Sequence, residues 1–486
     1  MDQESIDYFS KKVDELIDGI DKGDFSKQII PDKYRWEHLL GLFILRESLD
    51  GGQELFEQLY DLAIRSAKTY LCQKKERDEK IKVAFQTYSA AQWPSEQVYR
   101  FFEKRDDFET SIVVSPLIDR NQEDSFDTYK KSLSWFKNNS YKVVEGIDFE
   151  AKQYRSWEEM GEYPDVLYQL SPWFQSLPTV QWFCMLPLRC LVAYIPYGIH
   201  VEASDGTDYL INAVYNKEFV NVIWRVYCDS TYNLKEYQKY QLLKGKNVRY
   251  SGYAKMDYFY EKHIFNDDDI RSLWRIPDGR DVSEFKKVII APHFTVMNHG
   301  ILHFSTFHKN AWFLLYLAQK YKDKVSFVFK PHPNLRSSAV KNGVFGSYEE
   351  YDSYISRWNE LPNSKVVEEA SYLEYFETAD AMIMDSISFT AEFLYTDKPL
   401  LFLTRKGQCF NEMGTKVVES YYRVPGENYN EIEQFLRSVV IEGDDPKRSN
   451  REEIFAQFLD YKSAIGVTAS EFICRDLLDV LNGEDV

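Results

Sequence analysis

Hydrophobic positions in the first 78 residues recur at helical spacing. Phe9, Val13, Leu16 and Ile17 share one face with charges between them. Leu39, Leu40, Leu42, Phe43 and Leu45 mark a second, more buried helix, and a third runs from Glu54 towards Cys72. The charged stretch QKKERDEK, 73 to 80, closes this region as a solvated boundary. The pattern then changes to short continuous apolar runs. IKVAFQTY, SIVVSP, YKVVEG, DVLYQLSPW, CLVAYIPYGIH, FVNVIWRVYCDS and VRYSGYAKMDYF each read as a strand. Between the first runs lie helical segments, one opened by Pro94 and one over TYKKSLSWFKNN.

Residues 264–284 are polar and acidic and read as an interdomain connection. The alternation restarts with KKVIIAPHF, a helix over 310–320, and KVSFVFKPHP. SKVVEEA, the helix around SYLEYFETAD, the strand AMIMD, the helix SFTAEFLYT and the strand KPLLFL follow, and EFICRDLLDVLNG is an amphipathic helix. Apolar strands alternating with helices imply parallel sheets covered on both faces. The expected architecture is α/β: a helical segment over 1–78, a Rossmann-like half over 79–263, a linker over 264–284, and a second Rossmann-like half over 285–486. Such sheets bind ligands at the carboxyl ends of their strands.

Composition narrows the classes. A chain of 486 residues exceeds one ordinary core. A net charge of −18 argues against nucleic acid as a partner, though not against a local basic pocket. The six cysteines form no CxxC pair, which fits reduced thiols. The acidic start MDQESIDYFSKK lacks an apolar leader, and no apolar run is long enough to span a bilayer. A cytoplasmic protein is expected, with any membrane contact peripheral, at the inner face.

Candidate chemistry collects at strand ends. In Lys330-Pro331-His332-Pro333 two prolines fix the backbone around one histidine. An imidazole so held, beside a lysine, can neutralise a phosphate oxygen or act as acid or base; it can equally cap a loop. Asp385 ends a strand, and Ser386 and Ser388 stand where the next helix starts, an arrangement that suits an anion or simple capping. Glu392, further along, is a carboxylate suited to ribose hydroxyls. In APHFTVMNHGILHFSTFH, His299 and His303 have the spacing of a metal pair without an HExxH pattern. A phosphate-contacting loop with Ser305 and Thr306 as hydroxyl donors is the preferred reading there, with His293 beside it; packing alone is the other. Tyr197-Gly198 permits a tight turn, followed by His200, Glu202 and Asp205. In RYSGYAKMDYF, Gly252 permits a sharp turn, with Lys255 and Asp257 as polar neighbours. Neither GxGxxG nor GxxxxGK[ST] occurs, and NDDDI lies in the acidic linker.

Taken in order, SGYAKMD, VIIAPHF, FKPHP and DSISFTAEFLYTDKPLLF resemble the CDP-glycerol glycerophosphotransferase family, over roughly residues 80–430. The resemblance implies a GT-B fold, two Rossmann-like domains facing a cleft, and polymerisation of teichoic acid or related capsular polymers. It implies His332 on the donor diphosphate and Asp385 and Ser388 on the nucleotide or its phosphates. Glu392 stands where the family has Asp. Ser386 replaces a Tyr and Ile387 the first Ser. The family's His-Gly turn, whose His is the proposed base, is here Tyr197-Gly198; Glu202 takes the place of a Lys, and His200 is the nearest substitute base.

The expected activity is transfer of a polyol phosphate from a CDP-activated donor to a cell-surface polymer, glycan or lipid-linked acceptor. Lys330, His332 and the Ser388 helix start would stabilise phosphate charge, with no cofactor or metal required. The alternatives are a GT-B glycosyltransferase using a nucleotide-sugar in capsule or lipopolysaccharide synthesis, and an inactive scaffold in an assembly complex. The N-terminal helices could dock a partner, a second copy or a membrane surface.

Overall fold

A computed structural model describes residues 39–41, 43, 51–119, 122–161, 163–203, 211–297, 302–368, 371–387 and 389–484, with the side chains of 122–124 excepted. The expected helix around Phe9 to Ile17 and positions Leu42, Leu45, Asp205, His299 and Ser388 lie outside the described residues. The chain divides into two compact units. One comprises residues up to Gly198, Ile211–Lys255 and Tyr461–Val486; the other comprises Ile199–Leu210 and Met256–Asp460.

The first unit holds a seven-stranded sheet. Its strands are β1 (Ile81–Thr87), β2 (Phe108–Val114), β3 (Val143–Glu145), β4 (Val166–Gln169), β5 (Leu191–Tyr194), β6 (Arg225–Cys228) and β7 (Val248–Tyr250). The order is β3-β2-β1-β4-β5-β6-β7, and every pairing is parallel. The second unit holds β8 (Lys286–Ala291), β9 (Val325–Phe329), β10 (Ser364–Val366), β11 (Ala381–Met384), β12 (Leu400–Thr404) and β13 (Tyr422–Pro425). Their order, β10-β9-β8-β11-β12-β13, is again wholly parallel. Both sheets therefore contain the doubly wound order 3-2-1-4-5-6, extended in the first by a seventh strand, with the switch point between first and fourth strands. The central strands β4, β5, β9 and β11 are buried at every position, which explains why they read as continuous apolar runs. The helix Phe307–Lys320 covers one face of the second sheet through Phe307, Ala311, Leu314, Leu317 and Ala318, spaced three and four apart.

Several expected boundaries move. The C-terminal helix Ala469–Leu481 belongs with the first unit, not the second. Its Asp476 carboxylate accepts from Arg225 Nε at 2.9 Å and from the Tyr227 hydroxyl at 2.9 Å, all buried. The helix Gly52–Glu76 is equally part of the first unit rather than a separate segment. Lys74, expected in a solvated boundary, is buried and donates to Asp165 at 2.6 Å. Residues 264–284 are no loose connection. Trp274 is wholly buried, and its indole N–H donates to Thr378 at 2.8 Å. The NDDDI run is a capping box, Asn266 and Asp269 closing the start of helix Asp267–Leu273. FVNV, read as strand, is the short helix Glu218–Val222, and the strand begins only at Arg225. SFTAEFLYT forms only a short 3₁₀ turn over Glu392–Thr396.

Gly252 is a packing requirement. Its φ is +81°, and a Cβ there would lie 2.1 Å from the Tyr461 ring. Gly161, with φ +69° and open space, isolates the backbone effect. Gly161→Ala is expected to lose only the left-handed backbone cost, about 1–2 kcal/mol. Gly252→Ala should lower the urea midpoint clearly further, and equal shifts would show that the ring contact is unimportant.

Candidate functional site

The site is built where β8, β9 and β11 end, at the switch point of the second sheet. Asp385 follows β11 and is buried. One carboxylate oxygen accepts the backbone N–H of His293, just beyond β8, at 2.7 Å. The other accepts the Ser305 hydroxyl at 3.2 Å, the Thr306 hydroxyl at 2.9 Å and the Thr306 backbone N–H. The Ser305 oxygen in turn accepts the Phe307 N–H at 3.2 Å, and Thr306 accepts an amide N–H of Asn310 at 2.7 Å. One carboxylate thus ties the loop after β8 and the start of helix Phe307–Lys320 to the end of β11. Burial pushes its carboxyl up to about 6, against the pull of these four hydrogen bonds.

This arrangement changes the roles expected for three residues. Ser305 and Thr306 are buried and engaged with Asp385. Asp385 has both oxygens occupied by protein donors. All three frame the site. Glu392 is also buried, and one of its oxygens accepts the Tyr372 hydroxyl at 2.5 Å. Ser386 is buried, and its carbonyl accepts the Thr390 hydroxyl at 2.7 Å. His293 is buried, with Nδ1 2.8 Å from the Thr295 hydroxyl oxygen.

The opening of the site is made by the turn after β9. Lys330 N–H donates to Ile290 at 2.8 Å and His332 N–H to Pro292 at 3.3 Å, which fastens the turn to the end of β8. His332 is half-buried. Its ring packs against Phe294 and His293, with centroids 4.5 and 5.3 Å apart. Its Nδ1 accepts the Asn334 N–H at 3.1 Å, which puts the proton of the neutral ring on Nε2. The Lys330 ammonium lies 5.8 Å from the centroid of the Tyr372 ring, and Tyr372 is the partner of Glu392. The two prolines thus hold an N–H donor and an ammonium at one strand end.

A second cation, Arg405, was not among the expected residues. It follows β12, half-buried, and its Nη1 donates to the carbonyls of Ser305 at 2.8 Å and Val296 at 3.2 Å. Among the described residues its Nε and Nη2 donate to nothing. An arginine just past an apolar strand was the available signal. Its charge, with that of Lys309, joins burial in lowering the basicity of His308.

The remaining expected residues disperse. His200 and Glu202 belong to the second unit, although the chain places them after β5 of the first. Glu202 bridges to Phe410 in antiparallel fashion, and the His200 carbonyl accepts from Asn411 at 2.9 Å. His200 Nδ1 faces Glu202 at 3.5 Å, and its Nε2 is buried, an arrangement that packs a loop and does not suit proton abstraction. Burial raises the Glu202 carboxyl, but the hydrogen bond and charge of His200 outweigh it, leaving it below the ordinary range. Tyr197 stays in the first unit, where its hydroxyl accepts the Trp173 indole N–H at 3.3 Å. Gly198 needs no glycine: its φ is not left-handed and a Cβ meets open space. Gly252 is filled against Tyr461, Asp257 is fully buried, and Lys255 donates to the Ala91 carbonyl at 3.3 Å. Among the described residues no group of three His, Cys, Asp or Glu side chains is placed to hold a metal.

No protein-family model and no curated protein matches the chain. Solved structures do. The wall teichoic acid polymerase TagF is 13% identical, with a TM-score of 0.53 over 93% of this chain and 98% of that one. A histidine-to-asparagine variant of the same polymerase is 12% identical, with a TM-score of 0.53 and the same coverage. The UDP-GlcNAc 2-epimerase from Neisseria meningitidis, bound to UDP-GlcNAc, is 16% identical, with a TM-score of 0.49 over 82% of this chain and all of that one. The fold is α/β and GT-B-like. At these identities the likeness extends to architecture alone.

Asp385→Asn tests the frame. At least one backbone N–H, of His293 or Thr306, then faces an amide NH₂, a loss of about 1–3 kcal/mol. The pH dependence has a definite sign. The folded carboxyl titrates near 6, above the unfolded value, so its contribution to stability is full below the unfolded value and declines as pH rises towards 6. The stability advantage of wild type over Asp385→Asn should therefore shrink between about pH 4 and 6 in thermal melts. A widening gap would refute the burial argument.

Proposed function

We propose that the chain is a transferase that binds a nucleotide-diphosphate donor at the carboxyl edge of the second sheet. The donor is of the CDP-glycerol type, and a polyol phosphate is passed to a cell-surface polymer or glycan. The observation that carries this reading is the set of three positive or N–H-donating side chains, Lys330, His332 and Arg405. They sit on turns after β9 and β12 of one doubly wound sheet. A diphosphate brings two or more negative charges to a place where an imidazole N–H, an ammonium and a guanidinium fork are already oriented. The GT-B-like architecture shared with TagF over nearly the whole of both chains supports the reaction class, as does the motif order of the sequence.

In this reaction an acceptor hydroxyl oxygen forms a bond to the β-phosphorus. The bond from that phosphorus to the bridging oxygen breaks, CMP leaves with the electron pair on its phosphate, and the hydroxyl proton passes to solvent. His332 Nε2–H and Lys330 then hold charge on the transferred and departing phosphates, and Arg405 offers its remaining donors. The buried frame of Asp385, Ser305 and Thr306 keeps these turns in place and touches no substrate.

Calorimetric titration with CDP-glycerol tests the reading. Saturable binding is expected, with His332→Ala weakening it about tenfold or more and lowering turnover about 10²–10³-fold. His332→Gln, whose amide N–H can stand in for Nε2–H, should retain part of both. Tight binding of UDP- or GDP-sugars with none of CDP-glycerol would assign a sugar donor instead. Unchanged affinity and turnover in His332→Ala would remove the site.

A further inference from the structure

Four lysine or arginine residues are buried among the described residues: Lys74, Lys217, Arg225 and Arg451. Three of them have a carboxylate. Lys74 meets Asp165 at 2.6 Å, Arg225 meets Asp476 at 2.9 Å, and Arg451 meets Asp445 at 2.5 Å. Lys217 has none. It is 8% exposed, and among the described residues no carboxylate, carbonyl or hydroxyl accepts from its ammonium. The charge rests instead on aromatic faces, 4.5 Å from the Trp173 ring centroid and 6.0 Å from that of Phe174. The neighbouring Glu218 carboxylate is taken by the side-chain amide of Gln175. Burial lowers the basicity of Lys217, and the Glu218 charge opposes this only in part.

An ammonium carries three donors, and among the described residues none of those of Lys217 meets a protein acceptor; the nitrogen keeps a narrow contact with solvent instead. The cation–π contact holds the charge in place and leaves the donors to whatever reaches them from that side. The surroundings are fixed. Trp173 follows β4, its backbone N–H donates to Ser171 at 3.2 Å, and its indole N–H donates to the Tyr197 hydroxyl beyond β5 at 3.3 Å. All of these residues belong to the first unit and stand past the carboxyl ends of two central strands, where doubly wound sheets take ligands.

We infer that Lys217, seated on Trp173, is a phosphate-binding residue of the first unit, and that the group it takes is a phosphate of the acceptor. The identity of the acceptor as a phosphate-bearing polyol rests on the transferase reading; the binding of a phosphate at Lys217 does not. An incoming oxyanion supplies the acceptors that the protein withholds, and the indole face keeps the ammonium in position until it arrives.

The experiment uses the full chain carrying Lys330→Ala, His332→Ala and Arg405→Gln, so that phosphate at the second unit does not contribute. Glycerol 3-phosphate and inorganic phosphate are titrated by calorimetry, with glycerol as the neutral blank and acetate as the carboxylate arm. Binding of both phosphates is expected, glycerol should give none, and acetate should bind more weakly. Lys217→Met, which keeps the stem and removes the charge, should weaken phosphate binding at least tenfold, while Lys217→Arg retains it. Because the ammonium is unpaired, Lys217→Met should melt no lower than its parent without phosphate, and only the parent should gain melting temperature with it. Equal affinity in Lys217→Met, no phosphate binding by the parent, or a Lys217→Met chain that fails to fold would each overturn the inference. Loss of CDP-glycerol binding on its own would count against the donor reading and leave this one standing.

Discussion

The second unit depends on one buried carboxylate. Asp385 sits at the end of β11 and gathers four donors from a loop and a helix start some 80 to 90 residues earlier in the chain. A buried charge with fewer partners would be a liability, because each unmet oxygen would carry its full desolvation cost. With four it becomes a clamp. It sets where His293 leaves β8 and where helix Phe307–Lys320 begins. The Arg405 guanidinium then hangs from the Ser305 carbonyl that the clamp has fixed. The order of dependence runs from carboxylate to loop to cation.

That order separates framing residues from presenting ones. Hydroxyls and carboxylates at strand ends are the usual candidates for phosphate and ribose contacts. Here the buried ones, Ser305, Thr306, Asp385 and Glu392, are engaged with one another or with Tyr372. The half-buried groups are Lys330, His332 and Arg405. The two prolines flanking His332 restrict the backbone, and the Asn334 N–H orients the ring. A histidine between prolines is then a way of presenting one N–H with little conformational freedom left to lose on binding.

Much of the fold was legible in the sequence, because fully buried parallel strands announce themselves as short, largely apolar runs. VSFVF and AMIM needed no context. Helix and strand could not be told apart in FVNV, where short length leaves the period undefined. Unit membership was harder to read, since it depends on contacts between distant segments. Nothing local reveals that Asp476 returns to Arg225, or that His200 lies against Asn411. For the site, KPHP was visible because proline restricts the chain in any context. Asp385 was visible as a residue and hidden as a role, since four partners cannot be counted from one sequence. Arg405 and Lys217 were invisible because lone cations past a strand or before a helix are ordinary; only the carbonyls that anchor Arg405, and the burial and missing acceptors of Lys217, distinguish them.

Charge explains why such cations matter in this chain. A net charge of −18 surrounds the molecule with a potential that repels anions, and at physiological salt that potential fades over about 8 Å. An anionic ligand of the kind proposed would therefore have to be held by short-range fields. Partly desolvated cations at strand ends supply them, because the same charge acts more strongly where water is excluded. Lys217 faces an indole, which offers no competing negative charge of the kind a carboxylate would bring. For Lys217 the aromatic seat keeps the ammonium in place while leaving its hydrogen-bonding capacity for a ligand, whereas Lys74, paired with Asp165, has already given part of it away. On the proposed reading, the acidic surface and the aromatic seat of Lys217 would act together, the first repelling anions at a distance and the second holding one at short range.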